Sequence, residues 1–282
     1  MKIHPDLIFD VGMHIGQDTE FYLRQGFRVL AIEASPILAE AGRQKFASEI
    51  RSGQLDILNV GIFESDGIAD FWICESVPEW NSFDRAIASR EGFPHHAIQV
   101  PTMRFGSILE KYGVPHYLKV DIEGCDHLCT KDLPSFPLPP YLSIESECIG
   151  DSDSKSAEEG LEALRQLRDL GYHNFKLIHQ ETLVSLSIPR NVGHRLDDWG
   201  HRLHKIRGIG RFSRHLLQRE RLSQELNWQF PVASSGPWGE DTPGKWLTYD
   251  QAERAYNHYR DLHFSCPDVR AYTFWCDWHA KV

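Results

Sequence analysis

What the 282 residues lack narrows the reading first. No apolar run approaches the roughly 18–20 residues that a membrane-crossing helix needs. The opening MKIHPDLIFDVG has no apolar stretch of signal-peptide length, and a cytoplasmic location is expected. The positive surplus that duplex nucleic acid attracts is also missing. Thirty Lys and Arg face 40 Asp and Glu, for a net charge of -10. The six cysteines (Cys74, Cys125, Cys129, Cys148, Cys266 and Cys276) are scattered, which suits thiols better than a disulfide framework. The run CDHLC, Cys125 to Cys129, lacks the C-x-x-C spacing of a zinc knuckle, and no metal site is assigned. There is no internal repeat and no low-complexity run. What is present, 41% hydrophobic and 25% charged residues, is the composition of a folded globular protein.

The first two thirds alternates strand and helix signals. Strands are expected at Leu7–Val11, Arg28–Glu33, Leu55–Val60, Tyr117–Ile122, Tyr141–Glu145 and Asn174–Ile178. Asp66-Gly67 reads as a hairpin-type turn leading into a strand at Ala69–Cys74. Helices are expected at Asp18–Arg24, from Pro36 through Phe46, and at Glu158–Leu170, where Leu161, Leu164 and Leu167 recur at helical spacing and Gly171 can cap the end. Such alternation implies an α/β protein with a mostly parallel sheet and helices on both faces. Ligands then bind beyond the C-terminal strand ends, where strand order reverses. That rule singles out Asp10, Glu33, Asn59, Asp121 and Glu145.

After Ile188 the pattern changes to basic, Gly/Pro and aromatic clusters. Thr248-Tyr-Asp-Gln251 is a capping box that starts another helix, and Ala271–Trp278 is expected as a last strand. Residues 1–188 and 266–282 are therefore read as one core, with 189–265 an insertion or substrate lid within it.

The turn DVGMHIGQD, Asp10 to Asp18, carries Gly12 and Gly16 but departs from known phosphate loops. Asp10 stands where the dinucleotide fingerprint G-x-G-x-x-G has its first glycine, the spacing to the third fails, and no Gly-Lys-Ser/Thr follows. A carboxylate at a strand end repels phosphate. It suits a cationic ligand such as S-adenosylmethionine, which has an amino group and a sulfonium and no phosphate. Gly12 would admit the backbone close to the methionine portion, Gly16 would tighten the turn, and His14 would lie near the ligand. Asp10 would contact or order the amino-acid end, and Glu33 would accept hydrogen bonds from the ribose hydroxyls.

The run Leu118-Lys-Val-Asp-Ile-Glu-Gly124, followed by Asp126, resembles the K-[IV]-D-[IV]-E-G-x-[ED] signature of the FkbM family of S-adenosylmethionine-dependent methyltransferases. The glycine turn is similar to that family's D-x-G-A-N-x-G, with Met13-His14 in place of Ala-Asn. Asn59-Val-Gly61, then Asp66-Gly67 and a strand, also follows the family's course, so the resemblance covers about residues 6–180. It implies a Rossmann-like seven-stranded methyltransferase fold that binds S-adenosyl-L-methionine through Asp10, Gly12, Gly16, Glu33 and Asn59 and methylates a hydroxyl on a small molecule or glycan.

Methyl transfer needs an aligned nucleophile, and a hydroxyl must lose its proton. Asp121 is the first choice for general base or substrate acceptor, with Lys119 sharing its strand face and Glu145 and Glu123 as further candidates. Asp121 with Glu145 also has the makings of a divalent-cation pair, and Asp121 has a plainer role in capping the next helix. His179 follows a strand end and is a weaker candidate for the site. Leu138-Pro-Pro-Tyr141 echoes the motif of amino-methyltransferases but precedes its strand, which weighs against nitrogen methylation.

Residues 190–221 gather nine Lys and Arg against Asp197, Asp198 and Glu220. Three readings stand: a solvated helical surface, a seat for an anionic substrate such as a nucleotide-sugar or phosphorylated glycan, or a dock for nucleic acid or anionic lipid. Trp238 and Trp246 lie on a Gly/Pro loop and suit stacking on flat ligands or anchoring to a core. Two rival functions remain: a nucleic-acid methyltransferase that uses the basic segment, and a non-catalytic S-adenosylmethionine-binding module.

Overall fold

The computed structural model describes residues 1–146, 154–180, 182–188, 219–231, 234–265 and 275–282. Two compact units divide the chain: Met1–Glu145 with Val282, and Ser146–Lys281.

The first unit is built on β1 (Ile3–Val11), β2 (Arg28–Ile32), β3 (Leu55–Leu58), β7 (Val114–Val120) and β8 (Tyr141–Glu145), all parallel in the order β8-β7-β1-β2-β3. The chain runs outward from β1 through β2 to β3 and then returns to the other side of β1 as β7. The strand order therefore reverses between β1 and β7, and the C-terminal ends of these two strands flank the crevice where such sheets bind ligands. β1 reads Leu-Ile-Phe-Asp-Val over its last five residues, and all five are buried. A strand covered on both faces needs apolar residues without alternation. Each buried Ile, Phe or Val there contributes about 1.5–3 kcal/mol relative to exposure.

Helices α1 (Gln17–Arg24), α2 (Pro36–Lys45) and α3 (Ala47–Ser52) flank these strands. α2 starts as the sequence predicts, with Pro36 in its first turn and the Ser35 hydroxyl accepting from the Leu38 N–H at 3.5 Å.

A second, three-stranded sheet has the order β4-β6-β5, with β4 (Gly61–Ile62), β5 (Gly67–Cys74) and β6 (His95–Met103). The connection between β5 and β6 carries a 3-10 turn at Pro78–Trp80 and the short helix α4 (Arg85–Ala88). Asp66-Gly67 is not a hairpin turn, because β5 pairs antiparallel with β6 and not with β4. Asp66 instead accepts the Arg104 N–H at 2.7 Å and the Ser107 hydroxyl at 3.3 Å, at the start of α5 (Phe105–Tyr112). The lysine–aspartate motif ends β7 at Val120, one residue before Asp121, and α6 (Asp126–Asp132) follows.

The second unit contains α7 (Ser154–Leu170), β9 (Asn174–His179), β10 (Val184–Ser185), helical residues 219–225, α8 (Tyr249–Ser265) and β11 (Cys276–Lys281). Its strands are antiparallel in the order β10-β9-β11. Leu161, Leu164 and Leu167 form the buried stripe of α7, and Gly171 ends it at φ 112. The indole of Trp278 is fully buried, donates to the Gly160 carbonyl at 2.9 Å and lies 5.7 Å from the Tyr256 ring. The Gln251 side chain accepts the Thr248 N–H at 3.1 Å, one arm of the expected capping box. The last strand runs from Cys276 to Lys281, four residues or so later than its expected span, and 271–274 fall outside the described residues. So do residues 190–218, which carry nearly all of the basic segment. No described helix is long and apolar enough to cross a membrane.

Candidate active site

The glycine turn leaves β1 at Val11 and is shaped by its neighbours. Gly12 has φ 87, and a Cβ there would stand 1.8 Å from the Asp121 carbonyl oxygen. The end of β7 passes so close that only glycine fits. The N–H groups of Gly12 and Met13 both donate to the Ile32 carbonyl, at 3.0 and 3.1 Å, which ties the turn to the end of β2. Gly16, at φ 75, opens α1, and a Cβ on it would meet the Phe46 ring at 2.5 Å.

Glu33 follows β2 and fastens the turn from the other side. Its Oε2 accepts the His14 N–H at 2.8 Å, and its Oε1 accepts the Ser35 N–H at 2.8 Å. Burial pushes its carboxyl up to about 7, against the pull of those two N–H donors. Asn59 supports the same corner, since its amide donates to the carbonyls of Glu33 (2.8 Å) and Ala34 (3.1 Å).

Asp10, Lys119 and Asp121 form one buried cluster. The Lys119 ammonium lies 3.1 Å from Asp10 Oδ1, 3.5 Å from Asp18 Oδ2 and 3.5 Å from Asp121 Oδ2, and donates to the Gly12 carbonyl at 3.1 Å. The pairing Asp10↔Lys119 across β1 and β7 places the two side chains together. Asp10 is fully buried, and its other oxygen accepts the Thr19 hydroxyl at 2.5 Å. Burial raises the Asp10 carboxyl above its usual range while Lys119 opposes the rise. Burial likewise works against the Lys119 ammonium, yet the surrounding carboxylates of Asp10, Asp121 and Asp18 push its pKa well above the ordinary lysine value. Asp10 thus acts on the turn through Lys119, which grips the turn's own backbone.

Asp121 is the least buried member, with its side chain 26% exposed. Glu145 ends β8 one register step beyond the Val120↔Ile144 pair, level with Asp121, and is buried. Glu123, at φ 45, lies 3.4 Å from Arg90, and its backbone carbonyl accepts the Ser82 hydroxyl at 2.7 Å. Burial raises the Glu123 carboxyl to about 8, with the Asp121 charge adding to the rise and Arg90 opposing it. Ser82 and Arg90 belong to the connection between β5 and β6, which the sequence reading did not bring to the site. The guanidinium of Arg90 also stands 5.9 Å from the Trp80 ring, which in turn lies 5.8 Å from Phe93. Their only signal in the sequence is an aromatic and charged cluster between two strands.

Of the residues named as candidates, Asp10, Gly12, His14, Gly16, Glu33, Asn59, Lys119, Asp121, Glu123 and Glu145 lie in the first unit, at strand ends or in the turns that follow them. His179 belongs to the second unit, where its Nδ1 lies 3.1 Å from the Thr182 hydroxyl. Among the described residues no group of three or more His, Cys, Asp or Glu is placed to hold a metal ion. Leu138-Pro-Pro-Tyr141 leads into β8 as a loop.

The parallel sheet, the switch point between β1 and β7 and the carboxylate-flanked glycine turn define a Rossmann-like α/β domain. Residues 10–136 match the family model described as the methyltransferase FkbM domain. Among solved structures, a similar chain is the methyltransferase FkbM from Methylobacillus flagellatus KT, with 16% identity and a TM-score of 0.34. That alignment covers 52% of this chain and 34% of the other, so this chain matches about a third of that protein's length. No curated protein matches the chain.

Proposed function

We propose that this methyltransferase moves a methyl group from S-adenosyl-L-methionine to a hydroxyl of a small molecule or glycan, in the cytoplasm. One observation carries the reading: Glu33 grips the glycine turn through the His14 N–H while its carboxylate stands at the end of β2, where a ribose diol is recognised. Each carboxylate oxygen has a second lone pair for a ribose hydroxyl. The residues fit the donor. Asp10, Asp18, Glu33 and Asp121 surround the turn with one ammonium, Lys119, among them, a balance that disfavours phosphate and suits a cation. Buried Cys74 and Cys129 suit a reducing compartment.

Bound there, the donor would supply a methyl group already activated by a sulfonium. The chain's part is to hold, align and exclude water. Gly12 and Gly16 give the turn its shape, Lys119 locks it to β7, and Asp121 presents a partly open carboxylate that orients the acceptor. Recognition of a small or glycan acceptor falls to side chains around Asp121 and Glu123.

Calorimetry with S-adenosylhomocysteine tests the reading, and absence of binding would sink it. Glu33→Ala is expected to weaken that binding at least tenfold, because both the ribose contact and the His14 anchor go. Asp121→Ala is expected to lower turnover more than cofactor affinity; equal losses would remove Asp121 from the acceptor side.

A further inference from the structure

The loop that follows β7 is gripped from two sides. Toward the glycine turn, the Asp121 carbonyl oxygen and the Ile122 side chain stand 1.8 and 3.2 Å from where a Cβ on Gly12 would be. Toward the connection after β5, the Ser82 hydroxyl donates to the Glu123 carbonyl at 2.7 Å, and Arg90 lies 3.4 Å from the Glu123 carboxylate. The Ile87 side chain stands 2.6 Å from where a Cβ on Gly124 would be. These contacts hold Glu123 at a left-handed φ of 45, which a residue with a side chain keeps only where its surroundings fix it. The connection is thereby pinned beside the switch-point crevice, with a single loop between it and the turn.

What it carries there is chemically specific. The half-buried Trp80 indole lies 5.9 Å from the Arg90 guanidinium and 5.8 Å from the Phe93 ring, to which it is inclined by 37°. The two rings make an apolar surface beside a charged pair that is itself open to solvent, Arg90 by 33% and Glu123 by 15%. Oε2 of Glu123 faces Arg90, and Oε1 has no hydrogen-bond partner among the described residues. An aromatic surface next to a carboxyl group matches a ring with C–H groups on its faces and hydroxyls around its rim. The charges disfavour a phosphate or carboxylate on that ring. Lys119 is shared by Asp10, Asp18 and Asp121, and Arg90 is engaged by Glu123, so four carboxyl groups face two cations.

We propose that the connection after β5 forms the acceptor subsite, where Trp80 and Glu123 recognise an uncharged sugar ring and anionic acceptors are turned away. The proposal rests on the function given above and narrows its acceptor. Trp80 covers the apolar side of the ring, Glu123 binds its hydroxyls, Arg90 positions the Glu123 carboxyl, and Asp121 orients the hydroxyl to be methylated. Burial holds the Glu123 carboxyl at about 8, so at neutral pH it donates as well as accepts, the two roles a hydroxyl partner requires.

The test needs no turnover. Saturation-transfer NMR is recorded on protein saturated with S-adenosylhomocysteine, with methyl glucoside and methyl mannoside as neutral probes and glucuronic acid and mannose 6-phosphate as their charged counterparts. The neutral probes should give signals about threefold or more above the charged ones. Trp80→Leu should remove most of the neutral signal while the calorimetric affinity for S-adenosylhomocysteine stays within about twofold. Glu123→Gln leaves Arg90 uncompensated and should raise the charged probes to the level of the neutral ones or above, a change of ratio that a purely structural role for Glu123 would not produce. Should Trp80→Leu fail to fold, that ratio decides alone. Charged probes bound as well as neutral ones by the parent, no signal from any probe, an undiminished signal in Trp80→Leu, or an unchanged ratio in Glu123→Gln would each overturn the proposal. Absence of S-adenosylhomocysteine binding is a separate outcome, which overturns the proposed function and this proposal with it.

Discussion

Replacing Lys119 with methionine removes one charge from a place where three carboxylates depend on it. The ammonium is 4% exposed, Asp10 is 0% and Asp18 is 3% exposed, and all three lie within 3.5 Å contacts of one another through the lysine. Methionine fills much of the same volume, so the loss is chiefly electrostatic. Breaking a buried ion pair by deleting one partner costs about 3–5 kcal/mol, because the remaining charge has no compensation. For a protein of this size each kcal/mol lowers the melting temperature by about 2–4 °C. Lys119→Met should therefore melt about 6–20 °C below the parent at pH 7 in differential scanning calorimetry. The sign of its pH dependence follows from Asp10. A carboxyl whose folded pKa is raised contributes stability that is present below its unfolded value and lost as pH climbs through the folded one. Without Lys119 that rise is larger, so the deficit should shrink between pH 7 and pH 5. Lys119→Met combined with Asp10→Asn should recover a large part of the loss at pH 7, since the uncompensated charge is gone. A single variant within about 1 kcal/mol of the parent, or a double variant no better than the single, would refute this account of the cluster.

Glu33, held at about 7, should make cofactor affinity depend on pH. Its ionised form accepts the ribose hydroxyls, so S-adenosylhomocysteine affinity is expected in full above pH 8 and to fall toward tenfold per unit below pH 6, measured by calorimetry. The fold itself gains in the opposite direction: this raised carboxyl stabilises the protein below about pH 4.5 relative to pH 8, and Glu33→Gln should flatten both profiles. Gly12→Ala should abolish S-adenosylhomocysteine binding in the same assay, since a Cβ 1.8 Å from the Asp121 carbonyl forces the turn and β7 apart. Arg90→Ala should raise the acceptor KM more than it lowers kcat, by uncoupling Glu123 from the connection after β5.

Much of the first unit was legible because its strands are covered on both faces and so write continuous apolar runs: the expected Leu7–Val11 lies within β1, while Arg28–Glu33 and Tyr117–Ile122 overlap β2 and β7 and run past their ends at Ile32 and Val120. The same runs end in a carboxylate, which is how Asp10, Glu33 and Asp121 stood out. The three-stranded sheet was half hidden. β6, His95–Met103, mixes buried Val100 and Thr102 with exposed and partly exposed neighbours, and the helix α5 after it carries no strong cap of its own. Its capping carboxylate, Asp66, comes from 38 residues away, and local pattern assigned that residue to a hairpin. The role of Lys119 was legible only as a shared strand face. That it reaches the Gly12 carbonyl across a sequence distance of 107 residues follows from the pairing of β1 with β7, which no single stretch records. Ser82 and Arg90 were missed for a similar reason: each meets Glu123 through a fold-wide return of the chain, without a spacing to betray it.

The carbonyl of Asp121 backed against Gly12 has a bearing on how this scaffold can diversify. Where two strand ends touch backbone to backbone, neither can be widened, tilted or decorated on its own, so a new acceptor cannot be accommodated there by small steps. The connection after β5 is under no such restraint. It meets the strand ends through side chains, Ser82 and Arg90 on Glu123 and Ile87 against Gly124, and its exposed residues are held by no backbone contact of that kind. A library aimed at a different acceptor should therefore vary residues 77–93 and leave the turn and the end of β7 untouched.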